Sequence, residues 1–186
     1  MGQFLSYPDS ETVRIWCLSL TNPPRGAVWE PAETVEVDFA ILAAMPGMLG
    51  FSGDLAGLPA EASGRIAQWV RFFKRHRRFL TRAVAHLLTP PESLAAREGW
   101  VGFQLQDTAS TDSLVFVCRL GVAGAMRPWV LRDLDPRPVY VVTAGPDGPA
   151  RRATGRELME QGVTIPVPGG GFDRTNAAAL VTVRRV

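Results

Sequence analysis

The chain breaks most sharply at Thr89-Pro90-Pro91. Two prolines in a row remove two backbone donors and push the residue before them out of helical conformation, so neither a helix nor a central strand runs through them. What stands on each side has a different hydrophobic period. Upstream the spacing is helical. Val13, Trp16, Cys17 and Leu20 share a face and predict a helix from Asp9 to about Leu20, ended by Asn22-Pro23-Pro24. Val35, Phe39, Leu42 and Ala43 predict a second helix over about 32–44, closed by Pro46-Gly47, and Met48 to Phe51 then reads as a buried parallel strand. Pro59 opens a third helix, along which Ile66, Trp69, Val70 and Phe73 repeat at i, i+3, i+4 and i+7 to about Phe79, with an extension through Val84 and Leu87.

Downstream the period is two. Trp100 to Gln106 alternates, Leu114 to Leu120 is rich in β-formers, and Trp129–Leu131, Val139–Thr143, Val163–Val167 and Ala179–Val183 predict further short strands. Turn residues at Asp135-Pro136, Gly145-Pro146-Asp147-Gly148 and Gly169-Gly170-Gly171 separate them, and Gly155 to Gln161 predicts one helical turn. The expected class is α+β: the last βα units of an incomplete (β/α)8 barrel over 1–88, a linker over 89–99, and an antiparallel β-sandwich over 100–186.

Composition closes off several functions. The net charge of +2 includes six cations within twelve residues (Arg71, Lys74, Arg75, Arg77, Arg78 and Arg82), which leaves −4 for the rest. No overall field draws the chain to nucleic acid, and the run reads as a solvated helix face near a helix C-terminus. Two cysteines, Cys17 and Cys118, and two histidines, His76 and His86, lie in no metal-ligand spacing, so neither a metal nor another cofactor is expected. Reduced cysteines, no secretory n-region and no apolar run long enough for a bilayer together predict a cytoplasmic protein without a membrane anchor.

Three segments, in order, carry a resemblance. Ala44-Met45-Pro46-Gly47-Met48-Leu49-Gly50-Phe51-Ser52-Gly53-Asp54-Leu55 is similar to "AMFGxLGISGDL", and Phe73 to Leu80 after it to "YKxxRPLL". Ser113 to Leu120, Leu131-Arg132-Asp133-Leu134-Asp135-Pro136 and Val139 to Val142 look like "AVVFVFRL … LRGLDPDxxYRV". Thr154 to Pro168 is similar to "SGEELMNAGLTLPLP", and Glu11 to Ile15 to "ERLRI". These patterns are those of glycoside hydrolase family 36, the α-galactosidases and their relatives.

The resemblance implies a (β/α)8 barrel followed by an antiparallel sandwich, and retaining hydrolysis of terminal α-galactosides by two carboxylates about 5 Å apart. A barrel takes roughly 250 residues, so the residues before the sandwich have room for two to three βα units only. The family's nucleophile lies in "KWDxN", which this sequence lacks; the nucleophile is absent. The acid/base motif "SD[DN]TD" corresponds to Ser6-Tyr7-Pro8-Asp9-Ser10, where Asp9 matches with a one-residue shift or, alternatively, caps a helix. Asp54, in a loop after a candidate barrel strand, is placed to bond sugar hydroxyls or else caps the Pro59 helix. Trp29 either stacks on a galactose face or shields a loop.

The leading expectation is therefore the C-terminal portion of an α-galactosidase-like enzyme, with an α-galactoside as ligand in the full-length context and no activity of its own. It carries with it an exposed apolar surface on 1–88 that fits a partner chain or oligomer. The alternatives are a subunit completing a split barrel, and a non-catalytic binding module with Trp100, Trp129 or Tyr140 as an aromatic platform on the sheet.

Overall fold

The computed structural model describes residues 14–17, 37–51, 56–93, 98–121, 123, 128–166 and 176–186. The chain divides into two compact units, one reaching Thr81 and the other running from Arg82 to Val186.

In the first unit, β1 (Arg14–Cys17) and β2 (Met48–Phe51) pair in parallel, Arg14 opposite Met48 and Cys17 opposite Phe51. Parallel neighbours need a crossover, and α1 (Val37–Ala44) lies between them in the chain. The strand expected at Met48 to Phe51 is present and parallel, although Leu49, Gly50 and Phe51 are half-buried rather than buried. The helix expected from Asp9 to Leu20 is overturned at Arg14–Cys17, which is strand. Four residues containing Ile15 and Trp16 satisfy either period, and their β preference decides. Of the second expected helix, Val37–Ala44 is helical and residues 32–36 lie outside the described residues.

The long helix α2 (Ala60–Leu80) starts after Pro59 and turns Trp69, Phe72 and Leu80 inward. Its extension through Val84 and Leu87 is not found: Thr81 caps the helix, and Val84–Leu87 is a strand, β3. Pairing with the neighbouring strand gives those residues a backbone ladder that a further helical turn ending at a double proline does not. The apolar surface expected on 1–88 falls largely on residues outside the described ones; of those described, Val84 is exposed and Phe39, Ile66, Val70, Phe73 and Phe79 are half-buried.

The second unit is a six-stranded antiparallel sheet in the order β3-β4-β5-β8-β6-β7. Its strands are β3, β4 (Gly99–Gln106), β5 (Ser113–Leu120), β6 (Val139–Ala144), β7 (Ala150–Thr154) and β8 (Ala177–Arg185). The alternation of β5 buries both faces. Val115 and Val117 join Tyr140, Val142, Val181 and Val183 in one core, and Leu114, Phe116 and Cys118 are buried on the other face. On that second face Phe103 stacks on its register partner Phe116 at 4.9 Å.

The first core is closed by an irregular layer rather than by further strands of the sheet. Trp129, Leu131, Leu134, Val163 and Ile165 cover it together with Leu158 of α3 (Gly155–Glu160). The strands expected at Trp129–Leu131 and Val163–Val167 reduce, over the described residues 129–131 and 163–166, to a single bridge, Trp129 to Val163. The reason is local: Leu131 N–H donates to the Leu158 carbonyl at the end of α3, not to a strand. Thr154 caps α3 through a reciprocal pair with Glu157.

Candidate functional site

The three residues singled out for sugar chemistry, Asp9, Trp29 and Asp54, lie outside the described residues. In chain order Asp9 precedes β1, whereas Asp54 follows the C-terminal end of β2, the end on which barrel sites are built.

Two polar clusters stand out among the described residues, one in each unit. In the first, Asp38 on α1 is almost fully buried. Its Oδ1 accepts from Arg65 Nε and from Trp69 Nε1, both at 2.6 Å, and its Oδ2 accepts from Arg65 Nη2 at 2.5 Å. Arg65 also donates to Gln68 Oε1 at 2.6 Å and lies over the Trp69 ring at 5.1 Å. A carboxylate buried on an apolar helix needs such a set of donors, since an unpaired charge costs several kcal/mol. The side-on guanidinium fixes α1 against α2. Among the described residues the donors to Asp38 are a permanent cation and an indole, a set that holds a carboxylate charged and in place rather than moving a proton.

In the second unit Gln104 and Gln106 of β4 clamp the segment that crosses the sheet. Gln104 Oε1 accepts from Arg132 N–H at 2.9 Å, while its Nε2 donates to the Arg132 carbonyl at 2.9 Å and to Ser113 Oγ at 3.0 Å. Gln106 Nε2 donates to the carbonyls of Arg132 and Asp133 at 3.3 and 3.1 Å. That fixes Gln106 Oε1 toward His86 Nε2 at 3.1 Å, and His86 Nδ1 faces Asp133 Oδ2 at 3.5 Å. Asp133 has φ +54, where the "LRGLDP" pattern carries glycine. Tyr140 Oη accepts from Asp135 N–H at 3.1 Å and meets Thr111 Oγ1 at 2.7 Å, holding Thr111 at φ +61. Most of these contacts tie side chains of the sheet to the backbone of residues 132–135, and so hold the layer onto the sheet.

Titration points the same way. Burial pushes the Cys118 thiol up to about 12, so it is neither nucleophile nor metal ligand at neutral pH. Glu157 is held below the usual carboxylate range by the Thr154 backbone N–H and hydroxyl, and Asp107 by the backbone N–H groups of Ser110 and Ala109; both are cap or turn residues. Among the described residues no group of three His, Cys, Asp or Glu side chains is placed to hold a metal ion, and no helix is long and apolar enough to cross a membrane. The aromatic platform expected on the sheet face is overturned for Trp129 and Tyr140, which are core residues because each is sandwiched between the sheet and its covering layer.

No protein-family model matches the chain, and no curated protein matches it either. Solved structures do. α-Galactosidase AgaB of Geobacillus stearothermophilus is 23% identical at TM-score 0.68, over 86% of this chain and 21% of its own. A variant of AgaA from the same organism, solved with raffinose, is 18% identical at TM-score 0.71 over 97% of this chain and 23% of its own. The fold is that of part of a family 36 α-galactosidase. The Lactobacillus brevis α-galactosidase gives the same picture at 17% identity and TM-score 0.69, over 86% of this chain and 22% of its own. The chain thus spans about a fifth of the length of the structures it resembles. The resemblance read from the three sequence segments and the likeness in fold point to the same family.

Proposed function

We propose that this chain is the C-terminal portion of an α-galactosidase-like retaining glycoside hydrolase, and that by itself it does not hydrolyse galactosides. One observation carries the reading: the fold matches α-galactosidases over 86–97% of this chain and only 21–23% of theirs, while the sequence lacks the "KWDxN" nucleophile segment. In this reading the residues up to Thr81 are the last βα units of the barrel, and those from Arg82 on, with β3 moving the boundary forward from the expected 88, form the C-terminal module, a β-sandwich whose second layer is the irregular segment and α3. Double displacement needs a nucleophile and an acid/base group held across one scaffold. Asp9 is the acid/base position in this reading, with Asp54 and Trp29 as sugar contacts and an α-galactoside as the ligand of the complete enzyme in the cytoplasm.

The test uses the purified 186-residue chain and a chromogenic α-galactoside. No release above the buffer rate is expected, and added barrel of a related α-galactosidase that keeps its nucleophile segment but ends before its own acid/base motif restores turnover only if Asp9 is intact. Release by the chain alone at about 1 s⁻¹ or faster, the ordinary enzymatic range, overturns the proposal. Restored turnover with Asp9→Asn removes the role given to Asp9.

A further inference from the structure

The cations of α2 are arranged, not scattered. At about 100° per residue, Arg71, Lys74, Arg75 and Arg78 fall within one arc of about 100°. Trp69 and Leu80 fall nearly opposite and Phe72 about 110° from the centre of that arc, and these three are the residues the helix buries. All four cations are exposed. Among the described residues none of their side chains has an ion-pair or hydrogen-bond partner, whereas Arg65, on the inner side of the same helix, is committed to Asp38. The sequence from 62 to 91 holds no acid at all, so nothing along this stretch offsets the four. Repulsion between like charges at i, i+3 and i+4 costs a few tenths of a kcal/mol per pair, and here no carboxylate relieves it.

We infer that this face of α2 is a docking surface for an acidic segment of a protein partner, its carboxylates repeating along the four cations. The step along the axis from Arg71 to the Lys74–Arg75 pair to Arg78 is about 5 Å each, the step of Glu or Asp at i, i+3, i+4 and i+7 on a partner helix. Three of the four are Arg, whose fork geometry engages a carboxylate through two bonds. The arrangement disfavours the two other polyanions. A single nucleic-acid strand needs exposed aromatic side chains for its bases to stack on, and of the aromatics of this helix segment Trp69 and Phe72 are buried and Phe73 and Phe79 half-buried. A membrane surface needs an apolar face to insert, and that face of α2 is turned inward. The inference does not depend on the glycosidase reading.

The test is fluorescence anisotropy of the full chain with a labelled helical peptide bearing Glu at i, i+3, i+4 and i+7. Parallel titrations use a labelled oligodeoxynucleotide of equal charge and vesicles containing phosphatidylserine. The peptide is expected to bind, to weaken as ionic strength rises from about 0.05 to about 0.2 M, and to lose at least tenfold in affinity with the combined change Arg71→Gln, Lys74→Gln, Arg75→Gln and Arg78→Gln. Arg75→Gln alone, a single change at an exposed position, is expected to lose two- to threefold. Absence of peptide binding, equal affinity in either variant, or tighter binding to the oligonucleotide or the vesicles overturns the inference.

Discussion

A single methyl group at Gly102 tests the account of how the second unit is closed. Gly102 lies in β4 under the indole of Trp129, and a Cβ built there sits 2.3 Å from Cζ3, 2.6 Å from Cε3 and 3.0 Å from Cη2 of that ring. Carbon atoms pack at about 3.5–4.0 Å, so the ring must move by about 1 Å or more. It has little freedom to do so. The Trp129 backbone exchanges both hydrogen bonds with Val163, and its ring meets Trp100 edge to face at 6.3 Å. Overpacking of a filled core costs about 1–3 kcal/mol, and a ring fixed at both ends places Gly102→Ala at the upper end, about 2–3 kcal/mol. For a unit of this size each kcal/mol lowers Tm by about 4–8 °C, so thermal unfolding followed by near-UV circular dichroism of tryptophan reads the effect directly. Trp129→Leu is itself costly, about 3 kcal/mol, but it removes the atoms that clash. In that background Gly102→Ala is therefore expected to cost less than about 0.5 kcal/mol, a coupling of the size seen between contacting residues. Equal costs in the two backgrounds, or a Gly102→Ala protein as stable as the parent, would refute the reasoning.

Asp38→Ala is expected to destabilise the first unit by about 2–3 kcal/mol in denaturant titration. The figure is below the usual cost of breaking a buried pair because the Arg65 side chain is 35% exposed. Cys118 is expected to resist a thiol reagent at pH 8 in the native Cys17→Ser protein and to react only on unfolding, since its thiol is pushed up to about 12; rapid native labelling contradicts its burial. Glu157 is held below its ordinary value of 4.5, so its contribution is complete above that value and lost as pH falls through the lower folded one. Glu157→Gln is expected to flatten the acid limb of the stability profile below about pH 4.5, measured by thermal unfolding across pH 3–7.

Strands rich in aromatic and β-branched residues and bounded by turn residues were legible, even where both faces are buried. Gly99–Gln106 and Ser113–Leu120 carry aromatic and β-branched residues at every other position, and their expected bounds differ from the observed ones by a single residue at the start. Strands defined by pairing rather than pattern were not. β7, Ala-Arg-Arg-Ala-Thr, is an edge strand with charged residues outward and exists because the Gly145–Gly148 turn folds it back on β6. β3 keeps the helical spacing of Val84 and Leu87, and only the partner β4 decides against a helix. The cluster of Asp38, Arg65 and Trp69 joins residues 27 and 31 positions apart. Its one local signal is an acid within the apolar run of α1, which by itself names no partner.

The order of strands in the second sheet has a consequence for synthesis. β8, made last among the six, lies between β5 and β6 and donates registers to both. Until Ala177–Arg185 leave the ribosome, the sheet exists as two unjoined halves, β3-β4-β5 and β6-β7, each with an open hydrogen-bonding edge. Assembly of this unit therefore waits for its last-made strand, and loss of these nine residues divides the sheet through its centre rather than trimming its margin.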